Sequence, residues 1–448
     1  MKSNSVSPAR LTAFEILRRV AAGAYASVLL ASREGKLAPL DRALCHELVM
    51  GVLRRQLWLD RLIEHYANRK VAGLDESVRI VLRIGLYQLR FLSRVPASAA
   101  VNESVNLVHF ARLRSAGSFV NAVLRRAVRE PEVDPASNIH DPLERLSVAT
   151  SHPSWLLERW SAAFGVEEAE AFARANNEPA PIAFRVVNSR AQEADVCGRL
   201  RAAGADLVPS KVAAGAWRIT EASGLLGELA AAGKIYIQDE ASQLVALLLD
   251  AQSGQRVLDL CAAPGSKTTQ IADLSLDSAV IVAADLHEHR LRTVTSSAQL
   301  QGLKSIHCVA LDGLQPLPLL AGSFDRVLVD APCSGTGTLR RNPEIRWRIS
   351  PADIKDLAGR QEQLLFNAAL VVRPGGRLVY STCSVERNEN EDVVQTFLEN
   401  NATFRLVEPT FDPKLQTSLG AARTWPHREG TDGFFVCAFE RKDLSTCI

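Results

Sequence analysis

The sequence predicts a multidomain protein, in which an all-α N-terminal region and a small α+β piece precede an α/β domain. The chain has 448 residues, more than one ordinary hydrophobic core accommodates. Residues 8–129 place apolar side chains at spacings of three and four, without the alternation of strands. From residue 254 onward, short apolar runs alternate with helical segments, which is typical of a parallel sheet covered on both faces.

The helical N-terminal region is strongly basic. Residues 1–129 contain 21 Lys and Arg against 9 Asp and Glu, a net charge of +12, so the remainder carries −10. Within "RIVLRIGLYQLRFLSRV", one helix face is apolar and the other carries an arginine stripe, namely Arg79, Arg83, Arg90 and Arg94. Such a stripe is typical of a solvated face or of a nucleic-acid surface. The arginine-rich surplus favours contact with RNA or DNA.

A linker separates this region from the rest. "EPEVDPASNIHDP", over residues 130–142, is rich in Pro, Asp, Ser and Asn, the residues of turns and loops. We therefore expect domains over residues 1–140, 141–240 and 241–442. In the middle piece, the strand-like runs are "PIAFRVV", "AWRIT" and "KIYIQ". Arg185 and Asn188 lie near the end of the first of them, and a structural role for these two residues is as plausible as contact with a substrate.

The α/β domain gathers polar residues at one edge. Its predicted strands are "QRVLDLC", "AVIVAAD", "IHCVALD", "FDRVLVD" and "GGRLVYSTC". Sheets of this kind bind ligands beyond the carboxyl ends of their strands. The residues at those ends are Asp259 to Lys267, Asp285, Asp312, Asp330 to Cys333, and Cys383.

The first of these strand ends predicts a cofactor site. "DLCAAPGSKTTQ" opens a helix, and Gly265 permits close backbone approach, but the segment is neither a Walker A loop nor a Gly-x-Gly-x-x-Gly motif. Asp285 is placed to accept from ribose hydroxyls, and Asp312 could accept from an adenine amine. An adenosine-bearing cofactor without a pyrophosphate fits, which indicates S-adenosylmethionine. The alternative is that each aspartate only caps a turn.

The chain contains eight cysteines without a Cys-x-x-Cys pair or zinc-ligand spacing, so we expect neither a disulfide framework nor a metal site. Cys333 in "DAPCSGTG" and Cys383 in "STCSVE" both stand at strand exits. For Cys261 we expect the backbone to contact the cofactor while the side chain packs. The others are predicted to be small buried hydrophobic residues: Cys45, Cys197, Cys308, Cys437 and Cys447.

Two thiols beside an aspartate suit one reaction. A thiolate that adds to carbon 6 of cytosine makes carbon 5 nucleophilic enough to take a methyl group from a sulfonium. Reversal of the addition requires a base that removes the proton on carbon 5. Cys383 precedes "SVERNENEDVV", where we expect a helix whose N-terminus lowers the thiol pKa. Asp330 would hydrogen-bond the ring.

Three motifs resemble those of the RNA cytosine-5 methyltransferases of the Nol/Nop/Sun type: "DLCAAPGSK", "VDAPCSGTGTLRRNPEIRW" and "YSTCSVERNENEDVV". The N-terminal region resembles the NusB-type RNA-binding domain, so the resemblance covers nearly the whole chain. It implies a NusB-like all-α domain, an α+β adaptor and a Rossmann-like domain dependent on S-adenosylmethionine. The implied product is 5-methylcytosine in 16S ribosomal RNA of the small subunit.

The resemblance also implies roles for single residues. Cys383 would be the nucleophile and Cys333 would assist release of the methylated base, with Asp330 and Lys267 completing the catalytic group. DNA cytosine-5 methyltransferases instead place the nucleophile in the Pro-Cys motif. Bacterial members often have glycine where this chain has Ser266. The implied cofactor-binding residues are Cys261, Ala262, Ala263, Pro264, Gly265, Ser266, Lys267, Asp285, Asp312 and Asp330.

Further basic residues follow the Pro-Cys motif: Arg340, Arg341, Arg346 and Arg348 around Trp347. They suit RNA phosphates and a stacked base, or are incidental surface charge. Two alternatives stay open, namely the same chemistry on transfer RNA or another RNA, and an inactive NusB-like RNA-binding or assembly factor. The intact Cys333, Cys383, Asp330 and Lys267 argue against the latter. Because the sequence contains no apolar run of about 18 residues, we expect a cytoplasmic protein that does not bind membranes. We also expect it to be a monomer.

Overall fold

The computed structural model describes residues 6–221, 224–408 and 411–443. The chain divides into two compact units, residues 1–179 with 339–348 and residues 180–338 with 349–448. Within the described ranges, no helix is both long enough and apolar enough to cross a membrane.

The first unit is helical, as predicted. Its α-helices are α1 (Pro8–Ala21), α2 (Ala26–Arg33), α3 (Pro39–Arg54), α4 (Gln56–Ala67), α5 (Glu76–Phe91), α6 (Ala97–Phe110), α7 (Gly117–Arg129), α8 (Pro142–Thr150), α9 (Ser154–Phe164) and α10 (Val166–Ala175). The apolar faces of α1 to α7 meet in a core that includes Phe14, Leu59 and Ile84, none of which is exposed. Asp75 caps α5 by accepting from the backbone N–H of Ser77.

Two arginines of the stripe, Arg83 and Arg90, form hydrogen bonds within this unit. Arg83 donates to both carboxylate oxygens of Asp60 at 2.7 Å. Arg90 donates to the Tyr66 hydroxyl and to the Ala127 carbonyl, both at 2.8 Å. Two of the four stripe arginines therefore have a structural role, because their guanidinium groups hold α5 to α4 and α7. Arg94 of the stripe is exposed, and further exposed arginines of the region lie outside the stripe, at Arg18, Arg19, Arg42, Arg69, Arg112, Arg114, Arg125 and Arg129.

Two arginines of the basic segment 339–348 bind within the first unit. Arg346 is fully buried and donates to the Ser151 carbonyl at 3.1 Å and to Asn177 Oδ1 at 3.0 Å. Arg348 donates to the carbonyls of Val20 and Ala24 at 2.5 and 2.7 Å. Contact of Arg346 with RNA phosphates is excluded by its burial. The sequence shows that these arginines are charged, but not that backbone carbonyls far away along the chain bind their guanidinium groups.

The second unit begins with a small antiparallel sheet. Its strands are β1 (Ile182–Val186), β2 (Asp206–Pro209), β3 (Ala216–Glu221) and β4 (Ile235–Ile237), in the order β2-β3-β1-β4, and its helices are α11 (Glu193–Ala202) and α12 (Leu225–Ala231). Three strands agree with the predicted α+β piece, whereas β2 is too short to show a pattern. Arg185 is buried and donates to Thr269 Oγ1 at 3.0 Å, and Asn188 donates to Asp273. Both roles are structural.

The larger sheet has the order β10-β12-β9-β8-β5-β6-β7, with β11 paired to β12. Its strands are β5 (Arg256–Asp259), β6 (Val280–Asp285), β7 (Ile306–Ala310), β8 (Phe324–Asp330), β9 (Val372–Thr382), β10 (Phe404–Leu406), β11 (Ala422–Thr424) and β12 (Phe434–Arg441). The accompanying helices are α13 (Glu240–Leu249), α14 (Ser266–Leu274), α15 (Glu288–Gln301), α16 (Pro351–Val371) and α17 (Glu391–Asn400).

The pairing of these strands is parallel from β9 to β7, as predicted, but β12 runs antiparallel to β9 and β10 antiparallel to β12. The sheet is thus mixed, and the prediction of a parallel sheet is wrong for β10 and β12. Chain order reverses between β5 and β8, because β6 and β7 lie on one side of β5 while β8 and β9 lie on the other. Such a reversal opens a crevice at the carboxyl edge.

We expect Arg346→Ala to lower the free energy of unfolding by about 3 kcal/mol, because it removes a buried cation and leaves several carbonyls unpaired. Urea denaturation followed by circular dichroism measures this. Arg360→Ala is the matched control, since Arg360 forms an exposed ion pair with Asp356 on α16 and should change stability by less than about 0.5 kcal/mol. Equal stability of the two variants would contradict the structural role of Arg346.

Candidate active site

Three loops meet at the carboxyl edge of the large sheet. Strand β8 is the neighbour of both β5 and β9, and Asp330 lies directly opposite Ser381 in the register of β8 and β9. The loops that leave β5, β8 and β9 therefore start side by side. They carry the predicted cofactor segment, the Pro-Cys motif and the Thr-Cys motif, respectively.

The two motif cysteines lie together, although 50 residues separate them. The sulfur atoms of Cys333 and Cys383 are 3.3 Å apart, and both side chains are half-buried. The hydrogen bond with Cys383 raises the pKa of Cys333 well above its ordinary value, and burial and the charge of Cys383 add to the effect. Cys333 therefore keeps its proton near neutral pH.

An ion pair accompanies the thiols. Lys267 Nζ lies 2.7 Å from Asp330 Oδ2, and Asp330 Oδ1 accepts from the Ser381 hydroxyl at 2.7 Å. Burial lowers the pKa of Lys267, but the charge and hydrogen bond of Asp330, together with the charge of Cys383, raise it overall. Lys267 thus stays cationic near Cys383, the predicted nucleophile.

The predicted helix N-terminus at Cys383 is wrong. No helix begins directly after Cys383, because α17 begins only at Glu391, after a short 3-10 turn over Arg387–Glu389. The helix dipole is too distant to act on the thiol, since its effect falls off within a turn. Lys267 supplies positive charge there instead, as its electrostatic interaction with Cys383 shows.

The loop after β5 has the shape of a ligand cradle. Gly265 adopts φ +105°, and a Cβ there would lie 3.0 Å from the Val294 backbone, so only glycine fits. Ser266 begins α14 and does not have a positive φ. Ala262 N–H donates to the Ala284 carbonyl at 2.8 Å, which holds the loop to β6. Pro264 completes this tight turn, and Cys261 is half-buried.

The carboxylates along this edge suit an adenosine cofactor that bears a sulfonium. Asp285 accepts from the N–H groups of Ala263 and His287 at 3.2 Å, which orients its carboxylate at the end of β6. Asp312 accepts from Leu314 N–H at 2.9 Å with one oxygen. Carboxylates accept from hydroxyls and amines and favour a cation. Together with the Gly265 cradle, this acceptor set fits S-adenosylmethionine.

Asp259 lies behind the same loop. Its Oδ2 accepts from the Thr268 hydroxyl at 2.7 Å, which joins the end of β5 to α14. Burial raises its pKa to about 7, although the Thr268 hydrogen bond acts in the opposite direction. Asp259 thus changes charge near neutral pH, in contact with the cofactor segment.

The remaining cysteines divide by exposure. Cys45, Cys197 and Cys437 are buried, as predicted, whereas Cys308 is exposed on the edge strand β7, so its predicted burial is wrong. Cys447 lies outside the described residues. Among the residues that the structure describes, no group of three His, Cys, Asp or Glu could hold a metal ion.

The sequence analysis did not identify Glu389, a carboxylate that lies behind the two thiols. Glu389 is buried and accepts hydrogen bonds from Ser334 and Ser384, the residues that follow Cys333 and Cys383. A signal was present, since both motifs read Cys-Ser and an acidic residue follows shortly after the second. Burial of that carboxylate, however, is visible only in the fold.

Comparison with known proteins agrees with this architecture. Family models match residues 7–129 (NusB family), 152–225 (Methyltr_RsmF/B-like, ferredoxin-like domain) and 246–440 (16S rRNA methyltransferase RsmB/F). The chain is 35% identical to a "Probable ribosomal RNA small subunit methyltransferase B" of Bacillus subtilis, over 99% of this chain and all of that protein. It is 34% identical to "Ribosomal RNA small subunit methyltransferase B" of Salmonella paratyphi B, over 96% and 98% of the two chains.

A solved structure is similar over the same length. The crystal structure of PH0851 is 28% identical, covers 98% of this chain and 99% of its own, and has a TM-score of 0.85. The fold and these matches define an S-adenosylmethionine-dependent methyltransferase of the ribosomal RNA class. The chain belongs to the ribosomal RNA small subunit methyltransferase B (RsmB) family. The predicted resemblance and cofactor are thereby confirmed.

We expect Asp259 to make stability depend on pH. Its pKa is raised to about 7 in the fold and is about 3.9 in an unfolded chain, so its protonated form stabilises the fold at low pH. This contribution is lost as pH rises from about 4 to 7, at up to about 1.4 kcal/mol per pH unit. The difference in unfolding free energy between wild type and Asp259→Asn, measured from pH 4 to 8, should fall accordingly. A difference independent of pH would contradict the raised pKa.

Proposed function

We propose that this protein transfers a methyl group from S-adenosylmethionine to carbon 5 of a cytosine in 16S ribosomal RNA, through a covalent bond between Cys383 and carbon 6. The observation that carries the proposal is the thiol pair at 3.3 Å, placed beside the Lys267–Asp330 ion pair. The family and the substrate named for its members support ribosomal RNA as the substrate.

In the first step the Cys383 thiolate adds to carbon 6, and the electron pair of the double bond shifts toward carbon 5. Asp330, held by Lys267 and Ser381, hydrogen-bonds the ring and favours this shift. S-adenosylmethionine supplies a methyl group on a positively charged sulfur. Nucleophilic carbon 5 takes that methyl group, and its proton must then leave.

Release is the part we assign to Cys333. Before attack, the hydrogen bond and the charge of Cys383 raise the pKa of Cys333. Once the Cys383 sulfur is bonded to carbon, that charge is gone, so Cys333 ionises more readily. It then assists removal of the carbon 5 proton, the double bond re-forms, and the Cys383 thiolate departs.

The other parts of the chain would bring RNA to this edge. We propose that residues 1–140 bind RNA, that residues 141–240 act as an adaptor, and that residues 241–442 carry the catalysis. The net charge of +12 over residues 1–129 supports the first assignment. With Arg83 and Arg90 engaged internally, the exposed Arg125 and Arg129 of α7 are the candidates for phosphate contact.

The two cysteines should respond differently to alanine. Cys383→Ala should lose methyl transfer from radiolabelled S-adenosylmethionine, because no thiolate attacks. Cys333→Ala should accumulate a protein–RNA adduct on a denaturing gel, because attack proceeds and release fails. Turnover by Cys383→Ala would overturn the nucleophile assignment, and the absence of an adduct for Cys333→Ala would overturn the release role. An inactive wild-type protein would favour an RNA-binding factor instead.

Replacing Arg125 and Arg129 by Gln should weaken RNA binding about tenfold near physiological salt. If each contacts one phosphate of unpaired RNA, the slope of log affinity against log salt should fall in magnitude by about 1.4. Filter binding to 16S RNA across salt concentrations measures both. Arg292→Gln with Arg360→Gln is the control, since these exposed arginines lie on α15 and α16. An unchanged slope would remove α7 from the RNA surface.

A further inference from the structure

Glu389 is a buried carboxylate that neutral groups hold in place. None of its surface is exposed, and no Lys or Arg side chain in the described residues donates to it. Its Oε1 accepts from the backbone N–H of Ser334 at 2.8 Å and from Gln361 Nε2 at 3.0 Å. Its Oε2 accepts from the hydroxyls of Ser334 and Ser384, the latter at 2.5 Å. Burying a carboxylate is costly, so these donors must offset its desolvation.

These bonds tie together the two loops that carry the thiols. Ser334 immediately follows Cys333, and Ser384 immediately follows Cys383. One carboxylate therefore binds the residue next to each sulfur. Gln361 strengthens the link, because its Nε2 also donates to the Pro332 carbonyl at 2.9 Å, on the other side of Cys333.

The two loops depend on Glu389 to different degrees. The Cys383 loop has other supports, since Asn390 Nδ2 donates to the Ser384 carbonyl at 2.9 Å and Gly337 N–H donates to the Cys383 carbonyl at 3.0 Å. In the Cys333 loop, the Ser334 hydroxyl also contacts the hydroxyls of Ser384 at 3.0 Å and Thr336 at 3.4 Å. The backbone on either side of Cys333, however, is bound through Glu389, which accepts from Ser334 N–H, and through its partner Gln361, which donates to the Pro332 carbonyl. Loss of Glu389 should thus displace Cys333 more than Cys383.

We propose that Glu389 is a positioning residue that holds Cys333 at the distance from Cys383 needed for release of the methylated base. This inference rests on the proposed function. A displaced Cys333 leaves Cys383 free to attack but slows removal of the carbon 5 proton, because misplacement by about 1 Å can cost on the order of 100-fold in rate. The defect therefore falls on release, after the covalent bond has formed.

The test uses the full-length Glu389→Ala variant with S-adenosylmethionine and unmodified 16S RNA. We expect kcat to fall about 100-fold, KM for RNA and for the cofactor to change less than about threefold, and a protein–RNA adduct to accumulate as for Cys333→Ala. Glu389→Gln keeps an oxygen that can accept from Ser334 N–H, so it should accumulate less adduct and retain more activity. Should Glu389→Ala not fold, adduct and activity of Glu389→Gln are compared with those of wild type and Cys333→Ala instead.

Asp392→Ala is the matched control, because Asp392 is an acidic residue three positions further on that forms an exposed ion pair with Arg387. It should turn over as wild type does, without adduct. An adduct for Cys333→Ala but none for either Glu389 variant would overturn the positioning role alone. No adduct for Cys333→Ala would overturn the release mechanism, and the role of Glu389 with it.

Discussion

The side-by-side pairing of β5, β8 and β9 is the constraint on which the site depends. Parallel strands end at the same edge, so the loops of neighbouring strands begin about 5 Å apart. The register that places Asp330 opposite Ser381 brings the Pro-Cys and Thr-Cys loops together. A shift by one residue would turn every side chain of the strand to the other face and separate the thiols. Chemistry at this edge is thus a consequence of hydrogen-bond register deep in the sheet.

Burial then gives two chemically identical thiols unequal properties. The hydrogen bond that close approach allows with Cys383 raises the pKa of Cys333, and burial and the charge of Cys383 add to the effect. Lys267, fixed by Asp330, adds positive charge on one side, while Glu389 places behind the loops a buried carboxyl group whose pKa is raised by burial. On the mechanism we propose, these surroundings, rather than the cysteine residues themselves, would distinguish the attacking thiol from the one that assists release.

The arginines of the first unit show how far composition can mislead. The net charge of +12 over residues 1–129 indicates a polyanionic partner but does not tell which arginines face it. Arg83 and Arg90, and Arg346 outside that range, instead bind a carboxylate, a hydroxyl and carbonyls of the unit itself. Burying an arginine is feasible where its five donors find acceptors. Those acceptors come from distant parts of the chain, so the pattern of α5 alone did not distinguish a structural arginine from a phosphate ligand.

The sequence by itself determined the helical and α/β regions, the parallel strands β5 to β9, the edge that carries Cys333 and Cys383, and the cofactor loop around Gly265. Local periodicity and strand-end chemistry are short-range properties, and they suffice for these. Tertiary structure alone decided the antiparallel β12, the start of α17 beyond Cys383, the burial of Arg346 and the carboxylate of Glu389 that joins two loops. These features depend on contacts between residues far apart in the chain, and on how deeply each is buried, which no local pattern encodes.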